Sequence, residues 1–393
     1  MPIRPCWVEI SARAFEDNYR FLSRLAGPQV ELLAIVKANA YGHSLAICAP
    51  AAIRAGAHWL GVTSVEEGVD ARRLCPEARI LVISGVFPDD GIDVVRNKLT
   101  AVIWDAWQFD VLETAARSLG VRSVSVHLEI DTGMSRQGVA PEFIAPLLER
   151  FRRDFPLRLE GVMTHLFAAD ETDGQVTEDQ IARMEMALAA IKSARVHPGI
   201  LNVGNSAALL VGQANNIAAL AARYEMKALM RPGLALYGLV PEYAPPFPSA
   251  EPMSVGQARL QLHPVLSWKS QVVSLRSVAA GAVVGYNGTF VATEPMRLAL
   301  IAAGYGDGLD RMLGNRFSLL VRGQSAPLIG RVSMDQAVID VTEIPDVAPG
   351  DEVVLIGRQN EKSISAFDHA RVAGTIPWEI FTRIGQRVPR RAL

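Results

Sequence analysis

The sequence predicts an α/β fold: an N-terminal (β/α)8 TIM-type barrel followed by a mostly β C-terminal domain. Three observations carry that reading. Short apolar runs alternate with amphipathic stretches across residues 1–240. A proline-rich stretch, 241–264, then breaks the rhythm. Across 265–393 short β-like runs recur with turns between them, and long helical patterns nearly vanish. Strands that alternate with helices lie parallel. Eight such units in roughly 220 residues fit a closed barrel better than an open sheet. A doubly wound sheet is the structural alternative.

Trp7-Val-Glu-Ile10 reads as a short strand. Ser11 then caps a helix to about Leu25, with Phe15, Tyr19, Leu22 and Leu25 at helical spacing. The first barrel strand is the continuous apolar run Leu32 to Val36. Further strands fall near 59–64, 79–84, 101–104, 124–130, 159–164, 200–204 and 228–231. Helices such as 105–119 and 178–194 lie between them. Pro241, Pro245, Pro246, Pro248, Pro252 and Pro264 mark 241–264 as a linker. The later β-like runs are 272–278, 282–286, 297–302, 319–322, 338–341 and 353–356. One helix is expected near 365–373, where Ser365 and Asp368 have capping-box spacing.

At 393 residues the chain is long enough for two domains with their own cores. A net charge of −2 implies no broad attraction to nucleic acid or an anionic membrane. Cys6, Cys48 and Cys75 are odd in number and form no CxxC, which argues against a disulfide framework and a cysteine metal site. The seven histidines show no HxxxH or HExxH, so no metal site is expected. No apolar run approaches a membrane span, and charges interrupt the N-terminus where a signal core would lie. A cytoplasmic setting is expected.

In such a barrel the C-terminal strand ends converge on one pocket. Those ends carry Lys37 and Tyr41, Asp131-Thr-Gly-Met-Ser-Arg136, Thr164-His165, Gly204-Asn205-Ser206 and Arg231-Pro-Gly233. Each has an ordinary reading when taken alone. His165 would be a core histidine, Arg136 a surface ion pair, Ser206 a helix cap. Together they gather a lysine, two arginines, a histidine and a glycine-rich helix start. That positive potential suits a ligand carrying phosphate and carboxylate. Ser206 and the N–H groups at its helix start can bind phosphate, and Gly233 permits close backbone approach. A lysine among cations has a depressed pKa and forms imines readily. Lysine plus phosphate cradle points to pyridoxal phosphate (PLP) held as a Schiff base. Gly304-Tyr-Gly-Asp-Gly308 resembles a nucleotide loop only loosely and lacks the third-glycine spacing, so no nucleotide site is assigned to it.

Over essentially its full length the chain resembles alanine racemase, a fold-type III PLP enzyme. The motifs are Val36-Lys-Ala-Asn-Ala-Tyr-Gly-His43, Asp131-Thr-Gly-Met-Ser-Arg-Gln-Gly138, Met163-Thr-His165 and Asn205-Ser-Ala-Ala208. Arg231-Pro-Gly-Leu-Ala-Leu-Tyr-Gly238, Val284-Gly-Tyr-Asn-Gly-Thr289, Gly304–Gly308, Gly330-Arg-Val-Ser-Met-Asp-Gln336 and Arg387-Val-Pro-Arg390 complete the set. The resemblance implies a head-to-tail homodimer with shared active sites, and allows residues 1–10 to pack with the C-terminal domain. It implies that Lys37 carries PLP and is the base acting on D-alanine. Tyr286 is implied as the opposite base, acting on L-alanine in the partner's site. Arg136 and the Met334 backbone are implied to hold the substrate carboxylate. Tyr41, Ser206, Gly233 and Leu234 are implied at the phosphate, with Asn205 beside them. Arg231 is implied at the pyridine nitrogen, His165 as a support for Tyr286, and Tyr305 at the substrate entrance. The family's usual role is to supply D-alanine for peptidoglycan.

Three positions depart from the family pattern. Glu129 stands where a lysine, sometimes carbamylated, orients the arginine; its carboxylate would replace the carbamate. Trp378 stands where a tyrosine contacts the phosphate and bounds the substrate pocket, which keeps a broad-specificity or serine-preferring racemase open. Residues 211–229 run longer than usual. A fold-type III decarboxylase is disfavoured because the C-terminal domain has no cysteine. A PLP-homeostasis protein is disfavoured because those proteins generally lack the second domain.

Overall fold

The protein is described by a computed structural model covering residues 4–151, 156–247 and 250–393. Its chain divides into two compact units. One comprises Arg13–Ala40 and Leu45–His263; the other joins the described residues up to Ala12 with Tyr41–Ser44 and Pro264–Leu393.

The first unit is the barrel. After β1 (Cys6–Ile10), which belongs to the second unit, come β2 (Val30–Ile35), β3 (Trp59–Val62), β4 (Arg79–Val82) and β5 (Thr100–Ile103). They are followed by β6 (Val124–Glu129), β7 (Leu157–Met163), β8 (Ile200–Asn202) and β9 (Lys227–Met230). All eight pair in parallel, and β9 closes on β2 with Ala228 opposite Val30. The expected strands lie where the apolar runs lie because both faces of each strand are covered. The run 59–64 stops early, at Val62, because Ser64 accepts from Glu67 N–H and caps the next helix. Residues 211–229 hold a helix, Ala214–Arg223, that buries Ile217, Ala218, Leu220 and Ala221. The stretch 241–264 is more than a linker. Met253–Gln261 is helical, with Pro252 at its N-cap and Val255 and Ala258 buried. Its prolines flank the helix and none interrupts it, so a proline count alone hid it. Pro248 lies outside the described residues.

The second unit is mostly β. Its strands are β10 (Leu266–Val278), β11 (Val283–Val284), β12 (Phe290–Val291), β13 (Met296–Ile301) and β14 (Ser318–Val321). Then come β15 (Gln324–Ile329), β16 (Ala337–Asp340), β17 (Glu352–Gln359), β18 (Lys362–Ile364) and β19 (Arg390–Ala392). The main sheet runs β18-β17-β14-β15-β16-β13-β10-β1-β19. β10 also pairs with β17, so the sheet curls back on itself. β1 lies antiparallel to β10 and parallel to β19. The expected helix is Ala366–Ala373, capped by a reciprocal Ser365–Asp368 box. Among the described residues no helix is long and apolar enough to cross a membrane.

Candidate active site

Lys37 follows directly on β2. The next four residues, Ala38, Asn39, Ala40 and Tyr41, have φ of 53, 52, 56 and 51°. A left-handed turn of non-glycine residues costs roughly 1–2 kcal/mol per residue, so its surroundings must hold it. Asn39 does part of this: its Oδ1 accepts from Leu45 N–H at 2.7 Å and its own N–H donates to Glu67 Oε1 at 3.3 Å. The turn leaves Lys37 half-buried at the C-terminal end of the barrel. Burial and the Arg136 guanidinium push the Lys37 amine below its usual range, with a smaller push from Arg231; Glu67 opposes them.

Arg231, at the end of β9, is a buried guanidinium whose two Nη groups are engaged, while its Nε has no acceptor among the described residues. Nη1 donates to the Asn202 carbonyl at 2.7 Å and to Asn202 Oδ1 at 2.6 Å; Nη2 donates to the Thr164 carbonyl at 2.7 Å. His165 Nδ1 lies 3.4 Å from Nη2. Burial, Arg231, Arg136 and Lys37 together hold His165 down to about 3, so its ring is neutral and accepts from Arg231. Glu129 is buried, and burial raises its carboxyl to about 7. Gln137 Nε2 donates to Glu129 and to the Ile83 carbonyl. Among the described residues no ion pair joins Glu129 to Arg136; its charge reaches Arg231 and Arg136 through space. Arg136 itself is exposed and has no hydrogen-bond or ion-pair partner among the described residues.

Two helix starts meet where β8 and β9 end. Asn205 caps a short helix by accepting from Ala208 N–H at 3.0 Å. Ser206 Oγ accepts from Gly233 N–H at 2.9 Å and from Ala235 N–H at 3.2 Å. Ser206 and Gly233, with Leu234 next in the chain, thus meet at the starts of two helical turns whose first N–H groups have no acceptor of their own within the turn. The residues fit PLP on three counts: an amine with a lowered pKa, a serine–glycine cradle for phosphate, and a buried guanidinium suited to a ring nitrogen.

In the second unit, Tyr41 is buried and the Trp378 indole hydrogen-bonds its hydroxyl. Tyr286 is 66% exposed and has no hydrogen-bond partner among the described residues. Tyr305 and Met334 are also exposed. Their loops are zipped together: Tyr305 N–H donates to the Ser333 carbonyl at 3.0 Å, and Gly306 N–H to the Met334 carbonyl at 2.8 Å. Sequence reasoning missed Asn202, Gln137 and Asp307. Asn202 carried a signal, being the one polar residue in the run Ile200–Val203.

A closed parallel barrel with a half-buried lysine of lowered pKa at its C-terminal mouth, in a chain that continues into a β-rich unit, defines a class of two-unit barrel proteins. Residues 10–241 match the family model described as the alanine racemase N-terminal domain, and 265–392 match that of its C-terminal domain. The alanine racemase of Symbiobacterium thermophilum is 39% identical over 99% of this chain and 97% of its own. A solved alanine racemase from Bacillus anthracis, with bound L-Ala-P, superposes with a TM-score of 0.87 at 32% identity, covering 100% of this chain and 96% of that one. One from Bartonella henselae, with covalently bound pyridoxal phosphate, gives 0.82 at 26% identity, covering 99% of each chain. The chain belongs to the alanine racemase family.

Proposed function

We propose that this chain interconverts L-alanine and D-alanine with PLP carried on Lys37, and that Lys37 and Tyr286 are the two bases. The Lys37 amine is the observation that carries this reading. It is half-buried at the barrel mouth and its pKa is lowered by burial and Arg136. Such an amine serves as nucleophile and as proton acceptor. When bound, PLP withdraws electrons from the α-carbon and makes its proton acidic. Ser206, Asn205, Gly233 and Leu234 are suited to the phosphate, and Tyr41 and Trp378 are assigned to the same group by resemblance. Arg231 would hold the ring nitrogen without giving up its own proton, which would limit electron withdrawal and suppress transamination. Arg136, a guanidinium with no competing partner among the described residues, binds the substrate carboxylate together with the Met334 N–H. Two bases on opposite faces take and return the proton with least motion.

Tyr286 stands exposed on the second unit, as do the apolar side chains of Val283, Val291, Met312 and Ile376. A second copy of the chain covering that surface would receive Tyr286 in its own site. Tyr305 then borders the entrance. His165 would support Tyr286, and its neutral ring can do so.

The test is a chiral assay with L-alanine, paired with borohydride reduction and peptide mass spectrometry. D-alanine formation with the cofactor mass on Lys37 is expected. A cofactor mass on another lysine, or no D-alanine, rejects the proposal. Trp378 favours a second reading, a serine-preferring or broad racemase, because the hydrogen bond to Tyr41 fixes a bulky ring. Steady-state rates for alanine, serine and lysine separate the two. Growth of a D-alanine auxotroph rescued by this chain tests the supply of D-alanine for peptidoglycan.

A further inference from the structure

We propose that Asp307 is a positioning residue for carboxylate recognition: with Arg4 and Arg387 it sets the loop at 333–335 so that the Met334 N–H faces outward as a donor. This rests on the racemase reading above. It also gives a role to the Gly304–Gly308 motif, whose form is not that of a nucleotide loop.

Asp307 is 1% exposed, and both its oxygens are engaged. Oδ1 accepts from Arg4 Nη1 and from Arg387 Nε, each at 2.8 Å; Oδ2 accepts from Gly304 N–H at 2.9 Å. The two arginines then reach the neighbouring loop. Arg387 Nη2 donates to the Met334 carbonyl at 3.3 Å and lies 2.9 Å from Asp335 Oδ1. Arg4 Nη2 donates to the Asp335 carbonyl. The charge of one buried carboxylate is therefore relayed through two guanidiniums onto the backbone of 334 and 335.

The direction of the Met334 N–H follows from peptide geometry. Tyr305 N–H holds the Ser333 carbonyl at 3.0 Å. In a planar trans peptide the Met334 N–H points opposite to that carbonyl, away from the 304–308 loop. No acceptor among the described residues takes it. The glycines are needed for this approach. A Cβ on Gly304 would lie 2.4 Å from the Ser333 carbonyl oxygen and 2.5 Å from that of Met334. A Cβ on Gly306 would lie 2.6 Å from Arg387 Nη2.

The experiment compares Asp307→Asn and Arg387→Lys with the PLP-loaded wild type. Asp307→Asn keeps the size and removes the charge. Arg387→Lys keeps a charge for Asp307 but loses the planar fork that also reaches Met334. Three quantities are read: the KM and the kcat for L-alanine, and the rise in melting temperature caused by propionate, a carboxylate with no amine. The expected result is a KM raised about tenfold, kcat within about threefold, and a diminished propionate response in both variants. Unchanged KM and propionate response in either folded variant overturns the proposal. So does loss of kcat in step with melting temperature in Asp307→Asn while Arg387→Lys behaves as wild type. If Asp307→Asn does not fold, Arg387→Lys decides alone. Wild-type protein that responds to propionate but does not racemise alanine sinks the reaction, and the propionate comparison still decides the role of Asp307.

Discussion

Glu129 is 2% exposed, and its carboxyl is raised by burial to about 7 despite the Gln137 hydrogen bond and two nearby arginines. Below its unfolded value, 4.5, the group is protonated in both states and has no effect on the pH dependence. Between 4.5 and about 7 the folded state keeps a proton that the unfolded chain has lost, so stability falls as pH rises. Above about 7 the full penalty, on the order of 3 kcal/mol, is present. Glu129→Gln should therefore flatten this slope in urea unfolding between pH 5 and 8; an unchanged slope would place the titration elsewhere. Tyr286→Phe should slow single-turnover proton exchange far more from L-alanine than from D-alanine. Equal losses in both directions would remove Tyr286 from its assigned face. Lys37 and Arg231 stood out in the sequence because each charge directly follows an apolar run, whereas Arg136 was marked only by the motif at 131–138. Gln137 and Asp307 were not readable there, because each acts by bonding residues elsewhere in the chain, and a linear pattern does not encode that pairing; Asn202 stood out only as the one polar residue of its run.

The left-handed turn after Lys37 is an element under tension that its neighbours hold in place. Asn39 tolerates positive φ better than alanine and holds Leu45 N–H. Asn39→Ala should lose roughly 1–2 kcal/mol in chemical denaturation. Asn39→Gly keeps the conformation and loses only the hydrogen bond, so it should fall between the two. A variant as stable as wild type would show that the turn is held by other contacts. The sequence showed that a strand ends here but not the hand of the turn, because Ala-Asn-Ala-Tyr carries no glycine until Gly42. The barrel strands were easy to find, being apolar on both faces. The strand Gln324–Ile329 was missed because it carries Pro327 and exposed Gln324 and Ser325. The pair Phe290–Val291 is too short for any alternation to register.

For the whole molecule, the proposal is that each site borrows a tyrosine from a second copy. Mixing Lys37→Ala with Tyr286→Phe decides it. Each variant alone should be inactive. Random exchange between them should restore about a quarter of wild-type activity, because half the dimers then hold one intact site of two. Zero recovery after verified exchange would mean that lysine and tyrosine serve one chain. Domain order was readable from the proline-rich break, but the passage of Tyr41–Ser44 into the second unit was not. Four residues in the middle of a motif show no change of composition.

The pairing of β1 also sets an order of events during translation. Val8 lies opposite Trp268, which the ribosome adds roughly 260 residues later. At ordinary elongation rates that is a delay on the order of 10–50 s. The barrel segments emerge within that interval, while Cys6–Ile10 waits as an unmatched apolar edge. Among the described strands, the one made first is therefore completed last.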